Sequence, residues 1–257
     1  MKFNEFDEMM RTYESSIDQV IAPDVFVVAR IDGRGFTRLT HKDGNFDAPF
    51  DKRFSDYMVE TVKELMNIGF KVVYGYTESD EISLLFHIDE ASFGRKVRKF
   101  NSLLAGTASA KFSLLLGKMA VFDCRIIPLP SLSVVKDYFL WRQEDAHRNS
   151  LNSHCYWLQR KQGISPAEAD KMIKGQSMEF KQQFLFQNGV NYNELPLWQR
   201  RGVGLYLKEV ETEGYNPVKQ EKVIVVRRRL YVDYDIPAGL EYADMIESLV
   251  AGSMNNE

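Results

Sequence analysis

Two apolar segments joined by a short acidic one constrain the fold of this chain more than any other feature. The segments FKVVYGYT, residues 70 to 77, and EISLLFHI, residues 81 to 88, are rich in β-branched and aromatic residues. Ile82, Leu84 and Phe86 occupy every second position of the later segment, which is the period of a β-strand. Because so short a connection cannot cross over a sheet, it predicts an antiparallel hairpin with acidic residues at its turn.

The flanking segments predict a mixed sheet-and-helix core. DVFVVARID, residues 24 to 32, is typical of a buried strand that ends at Asp32, and MAVFDCRIIPL, residues 119 to 129, supplies a fourth strand. Apolar residues at helical spacing predict helices over residues 50 to 68 and 95 to 117. The order βαββαβ predicts an α+β fold of the ferredoxin type. We expect its helices on one face of the sheet, the other face open for a ligand, and the first strand beside the first strand of the hairpin.

Beyond Pro130 the pattern changes to long helices, predicted over residues 132 to 162, 165 to 174 and 178 to 188. The segments GVGLYLKEVE and KVIVVRRRLYVDYDI then predict a long β-hairpin. We therefore expect a core over residues 1 to 130, with residues 131 to 257 packed on it as one integrated domain.

Composition excludes some classes of protein. The formal net charge of -3 gives no overall attraction to nucleic acid, so local basic clusters must meet any polyanion. The two cysteines show neither zinc-site nor disulfide spacing, and no apolar run approaches the length of a membrane span. The acidic first residues do not resemble a signal peptide. We expect a cytoplasmic protein without a membrane partner.

Asp32 and Asp80 are the first candidates for chemistry. Asp32 ends a central strand and Asp80 lies at the hairpin turn, so the fold brings the two carboxylates together. Like charges at short range repel unless a cation intervenes, and Mg²⁺ prefers such oxygen ligands together with phosphate. The alternative is an ordinary solvated acidic turn. Glu78, which precedes Ser79 and Asp80, is expected to be a solvated turn residue.

The loop DGRGFTR follows Asp32 directly. Gly33 and Gly35 let the backbone approach an anion closely, and Arg34 and Arg38 add positive charge. The loop therefore suits a phosphate group beside the carboxylates.

Four motifs together resemble the tRNA(His) guanylyltransferase family, and more closely its guanylyltransferase-like branch of 3′–5′ polymerases. They are VARIDGRGFTRLT, YGYTESDEISLLF, FDCRIIPLP and WRQEDAHRNSLNSHCYW, which lie between residues 28 and 157, with a looser match in WQRRGVGLY. The resemblance implies a palm-like catalytic core, a homotetramer, and tRNA and nucleoside triphosphates as partners.

The resemblance also implies a site with two Mg²⁺ ions. The side chains of Asp32 and Asp80 and the carbonyl of Gly33 would bind the metal, and Glu81 would be a further catalytic ligand or a supporting residue. The implied nucleotide-binding residues are Asp32, Gly33, Arg34, Gly35, Phe36, Thr37, Ser79, Asp80, Arg30 and Lys99. For Lys99, a solvated helix face is the alternative.

The implied reaction joins a nucleotide to the 5′ end of an RNA. The 3′-hydroxyl of GTP or another nucleoside triphosphate attacks the activated 5′ phosphate, and ATP activates a 5′-monophosphate beforehand. No protein nucleophile is needed.

Two departures from the family pattern bear on the substrate. Members that add guanylate to tRNA(His) have His-Ile-Asn-Asn where this chain has His147-Arg148-Asn149-Ser150, which favours templated repair of 5′-truncated tRNAs. A lysine expected near FDAPF is also missing. The alternatives are guanylate addition to tRNA(His) and, from another class, a non-catalytic RNA-binding or nucleotide-sensing module.

Candidate RNA contacts lie later in the chain. A polar helix face carries His147, Asn149 and His154, and a basic pair follows at Arg200 and Arg201. The alternative for the helix is a solvated face. The three tryptophans are candidates for base stacking, with core packing as the alternative for at least two. Asp123 and Arg125 are expected to form an ion pair rather than to add a third catalytic carboxylate.

Overall fold

The computed structural model describes residues 2–40, 45–216 and 220–254. Its strands are β1 Phe26–Gly33, β2 Val72–Glu78, β3 Glu81–Phe86, β4 Phe122–Leu129, β5 Val203–Asn216 and β6 Glu221–Asp233. Its helices are α1 Phe3–Ser15, α2 Phe36–Arg38, α3 Lys52–Leu65, α4 Val97–Leu116, α5 Leu132–Lys161, α6 Pro166–Ile173, α7 Met178–Gln187, α8 Leu197–Arg201 and α9 Leu240–Met254.

One six-stranded antiparallel sheet organises the fold, in the order β4-β1-β3-β2-β5-β6. Its first four strands, with α3 and α4, confirm the predicted ferredoxin-type βαββαβ core. The expected neighbour of β1 was wrong, because β1 pairs with β3 and β4 rather than with β2. The turn between β2 and β3 still lies beside the end of β1, since β3 begins at that turn.

Helices cover both faces of the sheet. On one face α3 and α4 pack over residues such as Ile31 and Leu84. On the other face α5 and α9 pack over Val28, Tyr74 and Leu85. The expectation of one open face was therefore wrong, because the strands carry apolar side chains on both sides and each apolar face needs a cover.

The predicted helices after Pro130 are confirmed to within two residues at each end. Side-chain caps explain where they begin: Ser131 accepts a hydrogen bond from Val134 N, and Ser165 and Glu168 form a capping box. Helix α9 was not predicted, although its residues Tyr242, Ile246 and Val250 are buried at helical spacing.

The long hairpin is confirmed and is mostly separate from the core. Strand β2 pairs with β5 only along Val203 to Tyr206, whereas β5 and β6 pair with each other over their whole length. Residues 207–216 and 220–230 therefore form an arm that projects from the sheet.

Helix α5, 30 residues long, connects two parts of the core. Its first half packs on the sheet, and its second half packs with α6 and α7 around Leu151, Cys155 and Leu185. None of the helices in the described part of the chain has both the length and the apolar character needed to cross a bilayer.

Candidate active site

Four acidic residues stand in one register row across four strands. Asp123, Asp32, Glu81 and Glu78 are successive direct partners on β4, β1, β3 and β2. Directly opposed residues in antiparallel strands point to the same face of the sheet, so these side chains form an acidic row on the face that α5 covers.

Asp80 joins this row from the turn between β2 and β3. The Gly33 N–H donates to the Asp80 carbonyl at 3.0 Å, which fixes the turn against the end of β1. Ser79 has a φ of 49°, so it takes the left-handed conformation, and its hydroxyl lies 3.2 Å from the Asp80 carboxylate. Burial, together with the charge of Asp32, raises the pKa of Asp80 to about 6. A cation at this point would relieve both effects.

The glycine-rich loop is held in place by its buried aromatic residue. A Cβ on Gly33 would lie 2.5 Å from the Phe36 ring, so only glycine fits there. The Arg34 N–H donates to the Val121 carbonyl at 2.8 Å, and Gly35 has a φ of 73°. The loop backbone is thus fixed beside Asp32 before any ligand binds.

Glu78 is buried, which makes the prediction of a solvated turn residue wrong. Its side chain is only 10% exposed, and burial together with the charge of Glu81 raises its pKa to about 8. Its burial follows from α5, which places Arg142 over this end of the sheet.

The Glu81 carboxylate forms an ion pair with Arg142 and is not free to join the candidate metal ligands Asp32 and Asp80. Arg142 Nε donates to Glu81 Oε1 at 2.7 Å and Nη2 donates to Oε2 at 2.9 Å. Arg142 Nη2 also lies 3.6 Å from Glu78 and 3.1 Å from Asp145. Nothing near Glu81 in the sequence indicates this partner, which is 61 residues away.

Arg30 and Lys99, which the family resemblance assigns to nucleotide binding, lie in different places. Arg30 is next to the acidic row: its Nε lies 3.9 Å from Glu81 and its guanidinium 5.7 Å from the centre of the Trp141 ring. Lys99 is near the start of α4, whose other end leads into the segment that contacts Arg34. A helix of 20 residues is about 30 Å long, so the structure does not bring Lys99 to Asp32.

An open cavity of about 780 Å³ adjoins the turn. Ser79, Asp80 and Thr37 line it on the sheet side. The segment that lacks the expected lysine contributes Asp47, Pro49, Phe50 and Asp51. Within residues 2–40, 45–216 and 220–254, the cations that line the cavity are Lys174 and Lys181. These two lysines were missed because they come from a different part of the sequence.

His147 and His154 are half-buried against Tyr192. Their rings lie 5.3 Å and 6.1 Å from the Tyr192 ring, and the Tyr192 hydroxyl donates to the His147 carbonyl at 3.2 Å. Burial lowers the pKa of both imidazoles, that of His154 to about 4. Asn149 is exposed and lines the cavity.

Arg200 and Arg201 both contribute to the fold. Arg200 Nε donates to the Leu195 carbonyl at 3.0 Å, and Arg201 donates to the Ile236 carbonyl at 3.2 Å. The expected pair between Asp123 and Arg125 is present at 3.7 Å between exposed side chains. Of the three tryptophans, Trp141 is 53% exposed, whereas Trp198 packs against the core and both Trp157 and Trp198 line the cavity.

The chemical type of the candidate metal ligands fits Mg²⁺. Among the residues that the structure describes, no group of three or more His, Cys, Asp or Glu side chains is arranged to hold a metal ion. Two carboxylates and a backbone carbonyl are nevertheless typical of Mg²⁺, which takes its other ligands from water and substrate phosphates. Asp32, Asp80 and Gly33 supply such a set.

Family models and curated relatives both match this chain. The family model described as tRNAHis guanylyltransferase matches residues 7–130, and the model described as Thg1 C terminal domain matches residues 133–232. Probable tRNA(His) guanylyltransferases of Bos taurus and Drosophila melanogaster are similar to the chain. The first is 31% identical, over 88% of this chain and 80% of the relative; the second is 32% identical, over 79% and 73%.

Solved structures are similar as well. A bacterial tRNA(His) guanylyltransferase-like protein in complex with ATP has a TM-score of 0.74 and 26% identity, over 95% of this chain and 99% of that one. The complex with GTP gives a TM-score of 0.71 and 26% identity, over 96% and 99%. The chain therefore belongs to the tRNA(His) guanylyltransferase family of nucleotidyltransferases.

Proposed function

We propose that this protein adds guanylate to the 5′ end of a tRNA in a reaction that depends on two Mg²⁺ ions. The observation that carries the proposal is the convergence of Asp32 and Asp80 at the end of β1, beside a cavity of about 780 Å³. The relatives named tRNA(His) guanylyltransferase support the choice of guanylate and of tRNA(His). The bacterial structures with ATP and GTP support these two nucleotides as substrates.

The residues have separate roles in this reaction. Asp32, Asp80 and the Gly33 carbonyl would hold Mg²⁺, which supplies charge neutralisation and lowers the pKa of the attacking hydroxyl. The fixed backbone from Gly33 to Thr37 and the Ser79 hydroxyl would orient the triphosphate. The 3′-hydroxyl of GTP forms the new bond to the 5′ phosphorus, and AMP leaves when ATP has activated that phosphate.

The test uses tRNA(His) that lacks the added guanylate and carries a labelled 5′-monophosphate. With ATP, GTP and Mg²⁺, we expect a product one nucleotide longer, and no product with Asp32→Asn. Transfer by Asp32→Asn at the wild-type rate would contradict the assignment of the site.

Templated repair of 5′-truncated tRNAs is a second candidate. The sequence His147-Arg148-Asn149-Ser150 favours it, and the similar bacterial structures are of guanylyltransferase-like proteins. A truncated tRNA other than tRNA(His), offered with each of the four nucleotides, tests this reading. Extension that follows the opposite strand would support repair, and extension of tRNA(His) alone would exclude it.

Self-association into a homotetramer is part of the same proposal. Every residue of α1, Phe3–Ser15, is described and none is buried, although Phe3, Phe6 and Tyr13 are apolar. Exposed apolar surface of this kind is typical of interfaces between subunits. Light scattering of the purified protein would give the number of subunits.

A further inference from the structure

Arg142 divides the acidic row into two halves of different character. On the β3–β2 side, Arg142 contacts Glu81 with two hydrogen bonds and lies within 3.6 Å of Glu78. On the β1 side, Asp32 has Asp80 as its acidic neighbour, because the Gly33 N–H holds the Asp80 carbonyl at 3.0 Å from the end of β1. Arg142 is thus an internal counterion for the β3–β2 half of the row.

The contacts of Arg142 are too complete to be those of a surface ion pair. Its side chain is 5% exposed, and those of Glu81 and Glu78 are 12% and 10% exposed. Both oxygens of Glu81 are occupied by the guanidinium in a bidentate arrangement, which fixes direction as well as charge. Arg142 also stacks on Trp141, at 4.6 Å from the ring centre.

Without this guanidinium, the same place would attract divalent cations. Glu81, Glu78 and Asp145 all lie within 3.6 Å of Arg142 Nη2 or Nε, so its removal leaves three carboxylates around one vacated position. Two of them are shielded from water, and Arg30, at 3.9 Å from Glu81, offsets just part of their mutual repulsion. Carboxylate oxygens grouped in this way suit Mg²⁺ or Mn²⁺ as ligands.

We propose that Arg142 is a positioning residue that keeps Glu81 and Glu78 from binding metal and so confines divalent cations to Asp32 and Asp80. The proposal rests on the proposed function of the Asp32–Asp80 site. It assigns Glu81 to the support of that site, since both of its oxygens are engaged by Arg142.

The direct test counts bound Mn²⁺ by electron paramagnetic resonance, in the absence of RNA. Arg142→Met is expected to bind one more ion than the wild type, and Arg142→Lys to bind the wild-type number because an ammonium still occupies the position. The matched control is Arg148→Met, which removes an arginine from the exposed side of the same helix and should leave the count unchanged. An unchanged count in folded Arg142→Met would overturn the proposal.

The double variant Glu78→Gln/Arg142→Met serves if the single variant unfolds, since it removes one negative charge together with the positive one. The double variant is expected to fold. If Arg142→Met also folds, the double variant should bind fewer ions than Arg142→Met. If Arg142→Met does not fold, the double variant should bind the same number of ions as the wild type. A count above the wild type by one in the double variant would contradict the role given to Glu78.

Kinetics separate positioning from simple support of the fold. Arg142→Met is expected to lower kcat by about 100-fold with little change in the KM for GTP, because a misplaced site reacts slowly while it still binds. The kcat of Arg142→Lys should be at least about tenfold higher than that of Arg142→Met. Equal rates for the two variants, at equal folded fractions, would count against positioning. If the wild type itself transfers no nucleotide, the proposed function fails, and the Mn²⁺ counts still decide the role of Arg142.

Discussion

Asp80, a metal ligand in the proposed function, has a buried carboxylate that opposes folding when it is ionised. Its pKa is raised from 3.8 to about 6, so the ionised form is less favourable in the folded protein than in the unfolded chain. The penalty is fully present above the folded pKa and disappears below the unfolded one. We expect Asp80→Asn, measured at pH 7.5 without divalent ions, to raise the free energy of unfolding by about 1 to 2 kcal/mol. Nucleotide transfer should be lost.

The measurement is thermal unfolding beside the transfer assay, and the control is Asp137→Asn, which changes an exposed carboxylate on α5. The control should alter neither quantity. A fall in Tm for Asp80→Asn would show that its carboxylate stabilises the fold.

His154 gives a pH dependence of the opposite sign. Its pKa is lowered to about 4 by burial, so between pH 6.5 and 4 the unfolded chain binds a proton that the folded chain does not. The free energy of unfolding should therefore fall as the pH falls through this interval. In His154→Gln we expect the fall to be smaller by about 1 kcal/mol, after allowance for partial exposure. Urea denaturation at a series of pH values checks this, and parallel curves for the two proteins would refute it.

At the scale of single residues, sequence was sufficient where position along a strand decides the outcome. Asp32 and Asp80 could be paired because each lies where a strand meets a turn. The environment of Glu78 could not be predicted, because its burial and charge partner come from Arg142 on a distant helix. Local sequence contains no information about which helix covers a turn.

At the scale of elements, the projecting arm of β5 and β6 is suited to contact with a polyanion. Arg227 and Arg229 are exposed and, being two positions apart on β6, point to the same face of the arm. Arg228 points to the other face and donates to the Gly252 carbonyl at 3.2 Å. Arg227→Ala/Arg229→Ala is expected to weaken tRNA binding for all sequences. It should also flatten the slope of log affinity against log salt by about 2.

Filter binding at several salt concentrations measures that slope. Arg228→Ala is the matched comparison and should change the slope less. An unaltered slope in the double variant would place the RNA elsewhere.

The elements themselves could mostly be predicted, but their neighbours could not. Hydrophobic periodicity indicated α3, α4 and α5 because each buries one stripe. The choice between β2 and β3 as the partner of β1 depends on chain connections over the sheet, which periodicity does not encode. Helix α9 was missed because its short apolar stripe resembles an ordinary surface segment until β1 and β2 are placed beneath it.

At the scale of the whole molecule, we expect α9 to contribute much to the stability of the fold and the arm to contribute little. Tyr242, Ile246 and Val250 belong to the second core cluster, and burial of each such side chain is worth about 1.5 to 3 kcal/mol. Removal of residues from 240 onward should therefore abolish cooperative unfolding, because that total approaches the stability of a typical domain. Replacement of residues 209 to 228 by a short turn should change Tm by only a few degrees. Circular dichroism during heating measures both, and a cooperative transition without α9 would disprove its role.

The cover of the second sheet face also affects how the protein is made. Helix α9 follows all six strands in the sequence, yet it completes the apolar cluster over β1 and β2. On a ribosome, which releases the chain from its N-terminal end, that face stays incompletely covered until every strand has been synthesised. The nascent chain therefore exposes part of the apolar surface of this sheet face for most of its synthesis.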